Sequence, residues 1–402
     1  MSLHIIEEPA AAVQTDHPVW NGQHALWGLG FRPFYILAAL LAALYIPLWL
    51  AHYLGWATRS GHITLGWHMH EMVFGFAIAV VVGFLLTAGR AWTGLWTPRG
   101  THLMALALVW VAGRLAMLAA PAWLAAGIDL LFLPMGAWSM YRVLQQAGNK
   151  RNMFLVLLLG LLTVANAAFH GATLGLLPIS QVAPIHAAIL LIVLIEAVIG
   201  GRVIPMFTDN AAPGAKSLVM PRNDKIALAV VAATVAAAVF NAPGPLMAGL
   251  AFLASCAVAL RLAGWKPQRT LRLPLLWILH LSYAWISAGF LMLALAALGK
   301  GAASTAYHAL AVGSMAGLII GMMTRTTLGH TGRKLVAGKS ETIMYALIQA
   351  GAFLRVGAGL APGQWRACLL IAAGACWSLS FILFLLVYTP YLWRARIDGK
   401  EG

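Results

Sequence analysis

Histidines inside or at the ends of apolar stretches are the residues of this sequence best suited to chemistry. His68 and His70 open one stretch, His186 and His308 open two others, and His170 lies near the end of a fourth. Imidazole is the commonest ligand for haem iron, copper and zinc. A lone histidine at such a boundary usually bonds a neighbouring carbonyl or caps a helix. Five histidines at one depth instead favour a redox metal.

The elements that carry these histidines are predicted to be membrane helices. Of the 402 residues, 61% are hydrophobic and only 9% are charged, whereas about 25% are charged in an average soluble domain. We therefore predict an all-α, polytopic membrane bundle of about twelve transmembrane helices. The spans are predicted at residues 33–55, 68–89, 101–120, 122–144, 152–175, 181–206, 225–241, 244–264, 272–298, 302–325, 340–360 and 365–390. Residues 1–32 and 391–402 form short cytoplasmic segments around the membrane domain, 33–390.

The placement of charge predicts the orientation. The net charge is +15, and lysines and arginines concentrate in alternate loops, as the positive-inside rule describes. This pattern predicts a multi-pass protein of the bacterial inner membrane with both termini in the cytoplasm. Because topology explains the excess charge, we expect no nucleic acid as a partner.

Depth along each span brings the histidines together. At 1.5 Å per residue, His170 lies about 27 Å from the cytoplasmic start of its span, at the same periplasmic level as the other four. Two residues apart on a helix, His68 and His70 point in different directions. His280 lies about 12 Å from the cytoplasmic end of its span, with Tyr283 one turn later, and could mark a second site.

The cysteines restrict how a haem can be bound. Cys256, Cys368 and Cys376 all lie within predicted spans, and none belongs to a C-x-x-C-H attachment motif. Any haem is therefore expected to be non-covalent, as haem b.

Charged residues at membrane depth need partners or functions. Arg114 and Asp129 are level on a helical hairpin, which favours a buried ion pair; Arg114 or Arg355 could instead neutralise haem propionates. Glu71 adjoins His70 and completes the candidate cofactor-binding residues. Glu196 is a candidate proton relay, or a protonated, hydrogen-bonded structural residue. Together with Tyr283 it forms the candidate catalytic set.

The histidines also suggest an internal repeat. Spans two, six and ten begin with His70, His186 and His308 and each carry a glycine thirteen or fourteen residues later. This spacing predicts three four-helix arcs around a centre, as in haem-copper oxidases.

Several separate motifs resemble the NnrS family. They are residues 24–34, 67–72 with 83–88, 200–205, and 321–325 with 328–333. The resemblance implies a membrane protein that contains haem and copper and works in nitric oxide metabolism and nitrosative stress. Its substrate would be nitric oxide, and its electrons would come from quinol or a separate donor.

Whether the protein is an enzyme stays open, although a haem and copper oxidoreductase acting on nitric oxide is favoured. One alternative is a twelve-span transporter, in which midplane polar residues and broken helices would be expected. Another is a haem-based sensor without turnover.

Overall fold

The computed structural model describes residues 17–58 and 60–400, which form a bundle of twelve long helices without a β-strand. The prediction of an all-α fold is confirmed. The first sixteen residues of the predicted cytoplasmic segment lie outside the described residues. The helices are α1 (Phe31–Tyr53), α2 (Leu65–Thr93), α3 (Thr101–Ala119), α4 (Ala122–Gln146), α5 (Met153–Thr173), α6 (Val182–Ala211), α7 (Pro221–Val239), α8 (Gly244–Gly264), α9 (Pro274–Ala297), α10 (Ala303–His330), α11 (Lys339–Leu360) and α12 (Gly363–Trp393).

Several helices continue beyond the apolar stretches that predict them. Helix α6 runs to Ala211 and α10 to His330, each five residues past its predicted end. Threonines explain part of this extension, since their hydroxyls bond back to the helix. Thr208 Oγ1 donates to the Ile204 carbonyl at 2.9 Å, and Thr327 Oγ1 donates to the Met323 carbonyl at 2.7 Å. Such polar residues lower the hydropathy of a segment, so the apolar stretch ends before the helix does.

Helices α2, α6 and α10 form the centre of the bundle. Inside the bundle, 83% of the apolar stretch of α2 and 78% of that of α10 are buried, against 39% for α3 and α4. Helix α6 contacts both α2 and α10. The apolar stretch of α6 is 61% buried, as is that of α9, and α6 joins α2 to α10.

Helix α7 differs from the other eleven, which are long and apolar enough to cross a membrane. Its first turn carries Arg222, Asp224 and Lys225, which leaves an apolar length of about 21 Å. Helices α6 and α10 start at the same end of the bundle. Helix α8 starts at that end too, because its first residue, Gly244, packs against Ala297 at the end of α9. Helix α7 must therefore traverse the bundle to connect α6 to α8.

Two central helices contain a π-helical segment directly after a histidine. These segments are Glu71–Ala77 in α2 and Ala309–Ala316 in α10, and they follow His70 and His308. π-Helical turns are rare and occur frequently at functional sites. The hydropathy pattern did not predict them.

Candidate metal centre

Six buried side chains from α2 to α5 form a connected group, which we call the buried polar cluster. It consists of His70, Glu71, Arg114, Asp129, Asn166 and His170, each at most 4% exposed. Burying a polar side chain costs free energy unless it is hydrogen-bonded. The cluster is therefore held together by mutual contacts, which position each side chain.

His70 lies in the middle of the cluster with an acceptor on each side of its ring. Its Nδ1 is 2.9 Å from Glu71 Oε1, and its Nε2 is 2.9 Å from Asn166 Oδ1 and 3.2 Å from Asp129 Oδ2. Glu71 thus fixes the ring so that Nε2 faces both Asn166 and Asp129.

Asp129 is the acceptor that most of the cluster shares. Its Oδ2 accepts from Asn166 Nδ2 at 2.8 Å and lies 3.0 Å from His170 Nε2, while its Oδ1 pairs with the Arg114 guanidinium. Arg114 also donates to Glu71 Oε1 at 2.8 Å. The predicted pairing of Arg114 with Asp129 is present, and the guanidinium joins the two carboxylates.

Three of these residues, His70, Asp129 and His170, could hold a metal ion together. The ligand atoms of His70, Asp129 and His170 all lie within 4.8 Å of one another. A metal bound at about 2.1 Å from each ligand needs neighbouring ligand atoms about 3.3 Å apart. The separations from Asp129 Oδ2, 3.2 Å to His70 and 3.0 Å to His170, are close to that value. A small outward shift would admit an ion.

Charge balance also favours a cation here. Glu71 and Asp129 carry two negative charges against the single positive charge of Arg114. One more positive charge makes the cluster neutral; a proton on His70 or a monovalent ion at its Nε2 supplies one such charge, and a divalent ion supplies two. Because ligand histidines must be deprotonated, the two would compete, and metal binding would release a proton.

A cavity of about 240 Å³ reaches the cluster from one end of the bundle. It lies between the loop before α2, the α3–α4 turn and the end of α5, and its lining includes His62, His170, Thr173 and Gln181. An ion could therefore reach His170 without crossing the apolar core.

The other three histidines of the predicted level form a separate group, which we call the three-histidine group. It consists of His68, His186 and His308, one from each central helix. The His68 ring stacks on Trp49 at 4.9 Å, and its buried Nδ1 has no hydrogen-bond partner in the described residues. The His186 ring stacks on Tyr307 at 3.5 Å. Tyr307 directly precedes His308, so this stacking brings His186 to the same turn of α10.

Arg355 adjoins the three-histidine group. Its Nη2 donates to His308 Nε2 at 2.9 Å, and His308 Nδ1 faces the Ser304 carbonyl at 2.7 Å. In the part of the chain that is described, no carboxylate forms an ion pair with Arg355. Unlike Arg114, Arg355 is thus available to an anionic group.

The remaining predicted residues lie elsewhere. Glu196 Oε2 accepts from Ser314 Oγ at 2.7 Å, between α6 and α10. His280 Nε2 is 2.8 Å from Thr208 Oγ1, whereas the Tyr283 hydroxyl accepts from Arg261 at 2.8 Å. His280 and Tyr283 therefore have different partners. His280 is not in the one group of three potential metal ligands that the described residues contain.

Sequence reasoning missed Asn166 and Ser314. A neutral amide or hydroxyl attracts little notice in a survey of charged residues at membrane depth. Asn166 precedes His170 by four residues, which puts both on one face of α5. That spacing was the available signal.

The fold and the cluster together define a class: a multi-span, all-α membrane protein with a buried His/Asp/His group that could bind a metal. Residues 25–396 match the family described as NnrS protein. The chain therefore belongs to the NnrS family. No curated protein matches it.

Proposed function

We propose that this protein binds copper and haem b in the bacterial inner membrane and binds or turns over nitric oxide. The observation that carries the proposal is the group formed by His70, Asp129 and His170, with Glu71 orienting His70. A carboxylate behind a ligand histidine is the usual support of protein metal sites, because it fixes the ring and strengthens the ligand. The nitric oxide role rests on membership of the family.

Copper fits the buried polar cluster. Two imidazoles and a carboxylate suit copper, zinc or iron, and family membership favours copper among them. His70, His170 and Asp129 would hold the ion, while Glu71, Arg114 and Asn166 would keep these ligands in place.

Haem fits the three-histidine group better than the cluster. His68 or His186 would hold the haem iron, since the buried Nδ1 of His68 has no hydrogen-bond partner in the described residues, whereas both ring nitrogens of His308 already have partners. The Arg355 guanidinium could pair with a propionate, whereas Arg114 already holds two carboxylates. When bound, the haem would supply an iron able to bind nitric oxide and exchange electrons.

Nitric oxide is small and neutral, so it can reach such a site through the bilayer. Reduction of two molecules to nitrous oxide and water consumes two electrons and two protons. We propose that the electrons come from quinol or a separate donor protein. Glu196 is the proposed proton relay, since its carboxyl group lies inside the bundle and is held by Ser314.

We expect the purified protein to show a Soret band with b-type pyridine haemochrome features. His68→Ala should lower haem content and His170→Ala should lower copper content, because each removes a proposed ligand. Absorption spectroscopy and elemental analysis of the same preparations measure both. His102→Ala, at the exposed start of α3, is the control and should change neither. A colourless wild-type preparation from haem-replete cells would exclude a haem.

We expect Glu196→Gln to slow nitric oxide consumption while leaving the haem spectrum unchanged. An amide keeps the hydrogen bond with Ser314 but cannot relay a proton, and general acid–base groups typically contribute about a hundredfold or more. Anaerobic consumption with a reduced quinol measures the rate. Ser314→Ala is the matched comparison, since it removes the hydrogen bond and keeps the carboxyl group. A normal rate for Glu196→Gln would leave Glu196 a structural role only, and no consumption by wild type would favour a sensor.

A further inference from the structure

The centre of the bundle contains a cavity that neither histidine group uses. It lies between α2, α6 and α10 and has a volume of about 90 Å³. Its wall includes Val80 and Phe84 from α2, Ile192 and Glu196 from α6, and Leu318 and Met322 from α10. The cavity therefore lies where the three central helices meet. Along α6, Glu196 is about 15 Å further in than His186.

The volume limits the occupant to a very small molecule. An apolar cavity of about 150 Å³ can stay dry and bind benzene or xenon, and one water has about 30 Å³ in the liquid. A cavity of 90 Å³ accordingly has room for one or two diatomic molecules. Pockets for drug-sized ligands measure about 300–1,000 Å³.

The chemistry of the wall limits the occupant further. The described lining is almost entirely aliphatic or aromatic, with Glu196 as its carboxyl group and no lysine, arginine or histidine. An anion such as nitrite would find no cation there, and burying an unpaired ion in apolar surroundings is unfavourable. An uncharged, weakly polar molecule meets neither obstacle.

We propose that this central cavity is a binding site for an uncharged diatomic gas and that Glu196 is the acidic group which the gas meets there. The identification of the gas as nitric oxide rests on the proposed function, but the existence of the site does not. The cavity would hold the gas inside the membrane domain, away from both histidine groups. Glu196, held by Ser314 Oγ at 2.7 Å, could then act beside the bound molecule.

Xenon is the probe for the site, because it fills small apolar cavities and needs neither metal nor donor. Xenon-129 NMR of the purified full-length protein should show one saturable site. Val80→Phe and Ile192→Phe each enlarge a buried wall residue and should weaken xenon binding roughly tenfold or more. Val164→Phe makes the same exchange as Val80→Phe at a side chain 65% exposed on the outside of α5, and it should bind xenon like wild type.

The outcomes separate this proposal from the proposed function. If wild type shows no saturable xenon site, or if both filling variants bind xenon normally, the cavity site is refuted whatever the protein does with nitric oxide. In a protein that consumes nitric oxide, the filling variants should raise the apparent KM roughly tenfold with unchanged haem and copper content. Loss of xenon binding with unaltered kinetics would refute nitric oxide as the occupant. Absence of both binding and consumption of nitric oxide by wild type would refute the proposed function alone.

Discussion

Asp129→Asn is expected to abolish metal binding at the buried polar cluster. The substitution removes the anionic ligand and places an amide that can donate toward two imidazole nitrogens, so the affinity should fall by more than about a hundredfold. Copper per chain, measured by elemental analysis after purification, should drop to background. Haem content should stay close to that of wild type, because the three-histidine group does not include Asp129.

Asp209→Asn is the matched control for that experiment. Asp209 lies near the end of α6, is exposed, and accepts a hydrogen bond from the Ser217 amide at 2.7 Å. The same change in charge there should leave copper content unaltered. Full copper in the Asp129→Asn protein would mean that His70, Asp129 and His170 do not form the metal site.

Arg114→Met is expected to be the most destabilising single change in the cluster. It leaves the buried carboxylates of Glu71 and Asp129 without the guanidinium that joins them, and removing one partner of a buried ion pair typically costs about 3–5 kcal/mol. The apparent melting temperature of the detergent-purified protein should fall markedly. Methionine retains most of the apolar length of arginine, so lost packing contributes little.

A double variant tests that electrostatic explanation. Adding Glu71→Gln to Arg114→Met removes one of the two uncompensated charges, so part of the lost stability should return. Arg202→Met serves as the control, since Arg202 is only partly buried and bonds to the Asn152 amide oxygen at 2.8 Å. If the double variant melts below the single one, repulsion between Glu71 and Asp129 does not explain the loss.

Much of the fold was predictable from the sequence, because the length and hydropathy of a span depend only on consecutive residues of the chain. Twelve helices followed from those patterns, and the repeated histidines singled out α2, α6 and α10. It was also predictable that Arg114 and Asp129 lie at the same depth, because the tight turn between α3 and α4 relates positions on one helix to positions on the other. Helix ends were less predictable, because side chains such as Thr327 satisfy their own hydrogen bonds within the helix.

The division of the histidines into two groups was not predictable. Depth along a helix gives only one coordinate of a side chain. Whether two histidines at the same depth meet depends on the direction in which each side chain points and on which helix lies in that direction. His70 and His170 meet because α2 and α5 pack around Asp129, and a hydropathy pattern contains no such information. Whether these residues bind copper and haem stays a prediction.

The π-helical segments of α2 and α10 change the angular phase of each helix. In a continuous α-helix, Val80 and Phe84 would lie about 80° and 40° from the direction of His70. A π-helical turn takes in one extra residue and so delays the rotation by about 100°, which turns both side chains to the opposite side. His308, Leu318 and Met322 repeat the same spacing of ten and fourteen residues. One helix can thus direct a histidine away from the central cavity at one level and line that cavity at the next.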